Sequence, residues 1–286
     1  MKVLIVVSVE WAFLSHRLEL GQSLQSKGHQ VSVAAIEEKG LVDKIKNLGF
    51  DFYPLNTTRS GTNLLGELLV LKQLYSIYNK VKPDVVHHVT LKPVAYGGLV
   101  ARFLKIPKVI NAITGFGTVF IDKDKNKLAF ALINLFLKIG YSSRVDYILQ
   151  NKTDFETVKS WDYIDKNRVH LIKGSGVNLL TFKHSLAKEN PKIIRILFPA
   201  RMLRDKGIYE FIEAATILKD KYRTKVEFVL SGDIDEHNRT SVKKGELENW
   251  SNASIVNWIG YQSDMVNQYM LADIVEVIKR TLGITG

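Results

Sequence analysis

Apolar residues along the first half of the chain recur in two alternating patterns. Short, nearly continuous apolar runs predict buried strands, whereas apolar residues spaced three and four positions apart predict amphipathic helices. The predicted strands cover 2–8, 30–36, 51–55, 84–88, 108–113 and 145–150, and the predicted helices cover 11–27, 41–48, 64–81, 94–104 and 154–161. Strands that alternate with helices at this rhythm indicate an α/β fold with a doubly wound parallel sheet.

A second set of such units follows a short polar segment. Residues 186–192 read LAKENPK, a polar stretch containing a proline that is typical of an interdomain linker. We therefore expect one domain over residues 1–188 and another over residues 189–286. The second offers four strand candidates, where a complete nucleotide-binding sheet has about six; they begin near Ile193, Val226, Ile255 and Asp273. The sequence predicts two Rossmann-like domains, the second of them incomplete.

Composition and charge narrow the classes of function. The 286 residues include no cysteine, which excludes disulfides and thiolate metal sites. Residues 1–190 hold 26 Lys and Arg against 16 Asp and Glu, whereas residues 191–286 are nearly neutral. The basic half suits an anionic membrane surface or a diphosphate-bearing substrate. Nucleic acid is not an expected partner, because the basic residues are scattered and no nucleic-acid-binding motif accompanies them.

The longest apolar segment, residues 128–141, contains Lys138 and is shorter than the ~20 residues that a membrane-spanning helix needs. Two interpretations stay open for it. It forms either a helix of the core or a partly exposed helix that touches the bilayer.

A basic loop joins a predicted strand to a predicted helix within residues 193–215. Arg201 and Lys206 lie in this loop, and Gly207 opens the helix. Unpartnered N–H groups at a helix N-terminus favour an anion, an arginine can fork onto two phosphate oxygens, and a lysine supplies a positive point charge. The loop is a candidate phosphate site, with a solvated basic loop as the alternative.

Four ordered motifs resemble those of glycosyltransferase family 4, the retaining enzymes of GT-B fold. Arg201-x-x-x-x-Lys206-Gly207 is similar to the family's donor-phosphate motif. The segment GSGVNLLTF at 174–182 resembles the one that closes the first domain. FVLSGD at 228–233, and WIG at 258–260 followed by ADI at 272–274, resemble later units of the nucleotide-sugar domain.

The resemblance implies a nucleotide-diphosphate sugar as the donor, linked to UDP, with no separate cofactor and no required metal. Arg201 and Lys206 would bind its diphosphate. The vicinity of the nucleotide would include Gly232, Asp233 and Gly260.

A second resemblance concerns the acceptor. The segment FLSHRL at 13–18 is similar to a loop of the capsule and O-antigen transferases of the family. It implies a polyprenyl-diphosphate-linked saccharide as acceptor, and a cytoplasmic enzyme attached peripherally to the inner face of the cell membrane. Because ligands bind where parallel strands end, the acceptor cleft has seven candidate residues: Glu10, His16, Arg17, His88, Thr114, Gly115 and Gly117. No catalytic residue is assigned.

The end of the chain departs from the family pattern. After ADI the family continues into a segment with two glutamates eight positions apart, which the sequence printed through Gly286 does not show. We therefore expect either an impaired hexosyl or N-acetylhexosaminyl transferase, or a non-catalytic remnant that only binds. A nucleotide-sugar epimerase of the same architecture is the third hypothesis, against which the basic loops argue.

Overall fold

A computed structural model describes residues 1–56, 64–116, 127–182, 192–236, 238 and 240–276. The chain divides into two compact units, Met1–Val177 and Asn178–Gly286. The boundary predicted between residues 188 and 189 falls outside the described residues and stays a prediction. Residues 178–182 join the second unit, where the Phe182 ring lies 6.1 Å from the ring of Tyr269.

The first unit is built on a sheet of seven parallel strands in the order β3-β2-β1-β4-β5-β6-β7. The strands are β1 (Lys2–Val9), β2 (Gln30–Ile36), β3 (Asp51–Pro54), β4 (Val85–Val89), β5 (Lys108–Ile113), β6 (Val145–Leu149) and β7 (Val169–Leu171). The order reverses at β1, so the crevice between the ends of β1 and β4 is the topological switch point, where such sheets bind ligands.

Helices cover both faces of this sheet. They are α1 (Glu10–His16), α2 (Leu18–Ser26), α3 (Val42–Asn47), α4 (Leu64–Val81), a π-helical turn (Pro93–Gly97), α5 (Gly98–Phe103), α6 (Lys127–Gly140), α7 (Lys152–Lys159) and a 3-10 turn (Lys166–Arg168). Alternate residues of β1 enter two separate cores. Leu4 and Val6 pack with α4 and α5, whereas Ile5 and Val7 pack with Phe13 of α1. Burial on both faces explains the nearly continuous apolar runs in the sequence.

Two local features differ from the prediction. The helix predicted over 11–27 breaks at Arg17, which has φ −132° and ψ −2° and separates α1 from α2. Strand β7 lies in a stretch too short and polar to predict a strand, and it forms because it pairs with β6.

Helix α6 is amphipathic and contributes Ile133 and Leu137 to the core. Among the described residues, no helix combines the length and the hydrophobicity that a membrane span requires.

The second unit contains a four-stranded parallel sheet in the order β10-β9-β8-β11. Its elements are β8 (Ile194–Pro199), a 3-10 turn (Arg204–Lys206), α8 (Ile208–Tyr222), a 3-10 turn (Arg223–Lys225), β9 (Val226–Ser231), α9 (Lys244–Asn252), β10 (Asn257–Trp258), α10 (Met265–Leu271) and β11 (Ile274–Val275). Phe198, Phe211 and Phe228 form its core with neighbouring ring centroids 4.9 and 5.6 Å apart. The four predicted strands are all present.

Candidate functional site

Two hydroxyl side chains meet where β1 and β4 end, at the switch point of the first sheet. The Oγ of Ser8 and the Oγ1 of Thr90 lie 2.5 Å apart. Thr90 has a φ of 75°, a left-handed conformation that a β-branched residue rarely adopts. Backbone strain of this kind concentrates at ligand-binding positions. Sequence reasoning covered the loop after β4 but missed Thr90 itself, because strain leaves no signature in the sequence.

Glu10 begins α1 immediately after β1 and is fully buried. One carboxylate oxygen accepts the backbone N–H of Glu38 at 2.9 Å, and the other accepts that of Lys39. The carboxylate thereby ties the end of β1 to the loop that follows β2. This geometry favours a positioning role for Glu10 in shaping the edge of the sheet over a direct contact with the acceptor.

Arg17 follows α1, and its side chain is almost completely buried. Its Nη1 donates to the backbone oxygen of His16 and to the Oγ of Ser175, both at 2.8 Å. The Nε is buried without a hydrogen-bond partner. Burial lowers the pKa of the guanidinium, and partial burial together with the charge of Arg17 lowers the pKa of His16. The predicted candidates His16 and Arg17 therefore lie together. Ser175, which sequence reasoning did not single out, accepts a hydrogen bond from Arg17.

His88 lies in the core and not in the predicted acceptor cleft. Its Nδ1 is 2.7 Å from the Oδ1 of Asn111 and its Nε2 is 2.6 Å from the hydroxyl of Tyr78. Because an amide oxygen only accepts, Nδ1 carries the proton and Nε2 accepts from the tyrosine. Burial lowers the pKa of His88 to about 4, so the ring is neutral at pH 7. Gly97 packs against the ring, which closes it off from solvent.

His87 points to the opposite face of β4 and is also buried. Its Nδ1 donates to the backbone oxygen of Ile110 at 3.3 Å. Burial lowers its pKa to about 3, with further lowering by the charge of Arg17. The structure thus brings His87 close to Arg17, a proximity that the sequence did not indicate.

The loop after β5 contains the remaining predicted acceptor residues. Thr114 is exposed at the end of the strand, and open space surrounds the position of a side chain at Gly115. The neighbouring Phe116 is buried and lies 6.0 Å from the ring of Trp161, which fixes the start of the loop. Gly117 lies outside the described residues. Contact of this loop with an acceptor stays a prediction.

The basic loop of the second unit follows β8 and leads into α8. Gly207 has φ 84° and ψ 25°, a left-handed conformation that turns the chain into the helix. Lys206 is exposed, and within the described part of the chain its ammonium group has no ion pair. Arg201 is 49% exposed, and its Nη1 lies 2.5 Å from the Oδ2 of Asp235. Two cations and the N-terminus of a 15-residue helix therefore stand at one end of this sheet.

The predicted nucleotide-side residues form the scaffold beside that loop. A Cβ added to Gly232, which has a φ of 151°, would lie 1.9 Å from the backbone oxygen of Ala200. The N–H of Gly232 donates to the backbone oxygen of Gly260 at 2.8 Å, and the indole N–H of Trp258 donates to the oxygen of Gly232 at 3.0 Å. The side chain of Asp233 accepts from the N–H of Ile234 at 2.9 Å. Gly232 and Gly260 thus hold three strand ends together.

These residues give two separate arrangements. In the first unit, a buried guanidinium and two neutral imidazoles lie near a strained switch point. In the second unit, an exposed lysine, a half-exposed arginine and a helix N-terminus offer positive charge to an anion. Among the residues that the structure describes, no group of three His, Asp or Glu side chains could hold a metal ion.

Comparison with known proteins relates this geometry to a family. Residues 2–152 match a family described as glycosyl transferase 4-like. The chain is 27% identical over 282 residues to the N,N'-diacetylbacillosaminyl-diphospho-undecaprenol alpha-1,3-N-acetylgalactosaminyltransferase of Campylobacter jejuni, covering 92% of this chain and 72% of that enzyme.

Two solved structures share the fold at low identity. The Anabaena protein Alr3699/HepE in complex with UDP-glucose superposes with a TM-score of 0.68 at 13% identity, covering 98% of this chain and 74% of that one. WaaG, a glycosyltransferase involved in lipopolysaccharide biosynthesis, superposes with a TM-score of 0.70 at 10% identity, covering 97% and 75%. Since the family match extends over more than half of the residues, the chain belongs to the glycosyl transferase 4-like family and is a glycosyltransferase of GT-B fold.

Proposed function

We propose that the protein transfers a hexose or N-acetylhexosamine from a nucleotide-diphosphate sugar, linked to UDP, to a saccharide carried on polyprenyl diphosphate. The observation that carries this proposal is the similarity to the Campylobacter enzyme, which extends over 92% of the chain and thus over both units. That enzyme's name specifies a sugar on diphospho-undecaprenol as its acceptor. Acceptors of this kind supply the synthesis of surface polysaccharides such as O-antigen and capsule, which is the proposed role.

The donor diphosphate is proposed to bind at the basic loop of the second unit. Lys206 offers an exposed ammonium group, and the left-handed conformation of Gly207 turns the chain into α8, whose N-terminus follows the loop directly. Arg201 would exchange part of its contact with Asp235 for phosphate oxygens. The arrangement would supply positive charge to the diphosphate, which gains negative charge as it leaves, and such electrostatic stabilisation is usually the largest single term in catalysis.

The acceptor is proposed to bind at the switch point of the first sheet, near His16, Arg17 and Thr114. The position follows from the strand order, because the loops after β1, β4 and β5 meet at the same edge. Gly115 leaves room for a close approach of a sugar to the backbone. Contact of Gly117, which lies outside the described residues, with the acceptor remains a prediction from the sequence alone.

Access to a lipid-linked acceptor requires contact with a membrane, and we place that contact on the face formed by α4, α5 and α6. Phe103 of α5 is 78% exposed and Leu135 of α6 is 49% exposed. Basic side chains accompany them at Lys72 and Arg102. Exposed apolar groups beside positive charge suit the interface of an anionic bilayer, here the cytoplasmic face of the cell membrane.

Vesicle flotation tests the membrane contact. Phe103→Ser should reduce the fraction bound to vesicles that contain anionic lipid. Ile217→Ser serves as the control, because Ile217 is also an exposed apolar residue but lies in the nearly neutral second unit. Binding should weaken at 1 M salt, where screening shortens to about 3 Å. Equal binding of both variants and the parent would exclude this face.

A radiolabelled donor tests the transfer itself. The chain is incubated with UDP-linked N-acetylhexosamine or hexose and with a polyprenyl-diphosphate-linked saccharide, and label is measured in the lipid fraction. We expect transfer that Lys206→Ala reduces. Arg223→Ala is the matched control, since Arg223 is a basic residue of the same unit that lies at the C-terminal end of α8, away from the loop. Transfer that is equal in both variants would place the donor site elsewhere.

A further inference from the structure

Arg17 carries a positive charge into the interior of the first unit without a negative partner there. Its side chain is 7% exposed. The two acceptors of its hydrogen bonds are neutral, the backbone oxygen of His16 and the hydroxyl of Ser175. Among the ion pairs that the described residues form, none includes Arg17. The edge of the guanidinium that contains Nε has no hydrogen bond.

Glu10, which lies seven residues before Arg17 in the chain, does not neutralise this charge. Both oxygens of Glu10 accept backbone N–H groups of the loop after β2. Arg17 lowers the pKa values of two nearby histidines, His16 and His87. The surroundings of Arg17 are therefore electropositive, because its fixed positive charge lies beside two rings whose protonation is disfavoured.

Burial of an unpaired charge costs several kcal/mol, so a folded protein keeps one only where something compensates. A structural arginine would pair with a carboxylate, as Arg168 does with Asp146 at 3.4 Å in this same unit. Arg17 has no such carboxylate partner among the described residues, so an anion bound from solution would supply the missing compensation. Ser175 is exposed and lies between two glycines, so its hydrogen bond with Nη1 connects the buried guanidinium to the protein surface.

We propose that Arg17 is a buried anchor for a diphosphate group at the switch point of the first sheet. The planar guanidinium would place its unused Nε edge on two phosphate oxygens, while Nη1 keeps its contact with Ser175 or exchanges it for a third oxygen. Arg17 acts here as a binding residue and takes no part in bond making.

The inference rests on the proposed function, in which both substrates carry a diphosphate. The group bound by Arg17 belongs either to the lipid-linked acceptor or to the nucleotide sugar. Its location in the first unit, which holds most of the chain's excess positive charge, favours the acceptor. Binding measurements with three probes separate these sources: inorganic pyrophosphate for the shared chemistry, farnesyl diphosphate for a prenyl diphosphate, and UDP for the nucleotide.

Isothermal titration calorimetry on the full chain compares Arg17→Met with the parent. Methionine fills a similar volume without charge, and Arg168→Met is the control because it removes an arginine of the same unit that has carboxylate partners. We expect Arg17→Met to weaken the binding of farnesyl diphosphate and of pyrophosphate about ten- to hundredfold and to leave the affinity for UDP unchanged. If Arg17→Met lost only the binding of UDP, Arg17 would still be a diphosphate-binding residue, but for the nucleotide sugar.

Thermal unfolding of the same variants without ligand separates an anchor from a structural arginine. Arg17→Met should unfold at the parent temperature or above, because it removes an uncompensated buried charge, whereas Arg168→Met should unfold lower. Unchanged binding of all three probes by a folded Arg17→Met protein would overturn the proposal, and so would a parent that binds none of them. Diphosphate binding that depends on Arg17 without any sugar transfer would retain the anchor and reject the proposed function.

Discussion

Replacement of Gly232 by alanine should destabilise the second unit and disturb the basic loop at the same time. The new Cβ would lie 1.9 Å from the backbone oxygen of Ala200 and 2.7 Å from its carbonyl carbon. Real Cβ atoms essentially never approach a heavy atom closer than 3.0 Å, so the backbone must shift by roughly 1 Å. Arg201 follows Ala200 directly and would shift with it.

The expected loss follows from the contacts at this position. A non-glycine residue at the φ of 151° seen here is strained, at a cost of about 1–3 kcal/mol. The shift also loosens the hydrogen bonds of Gly232 with Gly260 and Trp258, each with a net contribution of about 0.5–1.5 kcal/mol. We therefore expect the free energy of unfolding of the second unit to fall by about 3 kcal/mol.

Urea unfolding measured by tryptophan fluorescence tests this expectation. In a background with Trp11→Phe and Trp161→Phe, the remaining tryptophans both lie in the second unit, and Trp258 contacts the substituted residue. Gly245→Ala in α9 is the control, because nothing lies within 4 Å of its added Cβ, and it should gain up to about 1 kcal/mol. A Gly232→Ala variant as stable as its parent would refute the close approach of these strand ends.

Three further outcomes follow from the site. Lys206→Ala should weaken UDP binding about tenfold in calorimetry, since it removes an exposed charge-assisted contact, and unchanged affinity would exclude the basic loop. Asp235→Asn should strengthen UDP binding by up to about fivefold, because it frees Arg201 from a competing ion pair, whereas weaker binding would make Asp235 a positioning residue. The folded-state pKa values of His87 and His88 lie at about 3 and about 4, below the unfolded value of 6.5. The free energy of unfolding should therefore fall when the pH drops from 6.5 towards those values, because the unfolded chain then binds protons that the folded protein does not. The loss of unfolding free energy approaches about 1.4 kcal/mol per pH unit for each histidine. A urea concentration at the unfolding midpoint that stays constant between pH 6.5 and pH 4.5 would contradict this prediction.

Elements with a strong periodic pattern could be predicted closely from the sequence. Strands Gln30–Ile36 and Lys108–Ile113 and helix Leu64–Val81 have the predicted bounds. These segments bury regular faces, so the order of their apolar residues carries the information. Strand β7 and helix α9 were not predicted. Strand β7 forms because it pairs with β6, and α9 forms because Leu247 packs against the core of the second unit.

The candidate site could be predicted only in part. The basic loop with Arg201 and Lys206 could be predicted because its residues are neighbours in the sequence and precede a helix. The surroundings of Arg17 could not be predicted, since Ser175 lies far away in the chain and the break between α1 and α2 interrupts an otherwise helical pattern. His88 illustrates the reverse problem. A histidine at a strand end suggests a ligand contact, but its partners Tyr78 and Asn111 come from a distant helix and a neighbouring strand.

We propose that this chain moves a sugar from a nucleotide diphosphate to a lipid-linked diphosphate saccharide, using charges in both units. The most direct measurement is the transfer of radiolabel into a polyprenyl-diphosphate-linked saccharide by the parent, Arg17→Met, Lys206→Ala and the Arg168→Met control. We expect labelled lipid with the parent and the control, and a strong reduction of label with both of the other variants. Labelled lipid at the parent level in Arg17→Met and Lys206→Ala, or UDP-sugar consumption without any label in the lipid, would contradict it.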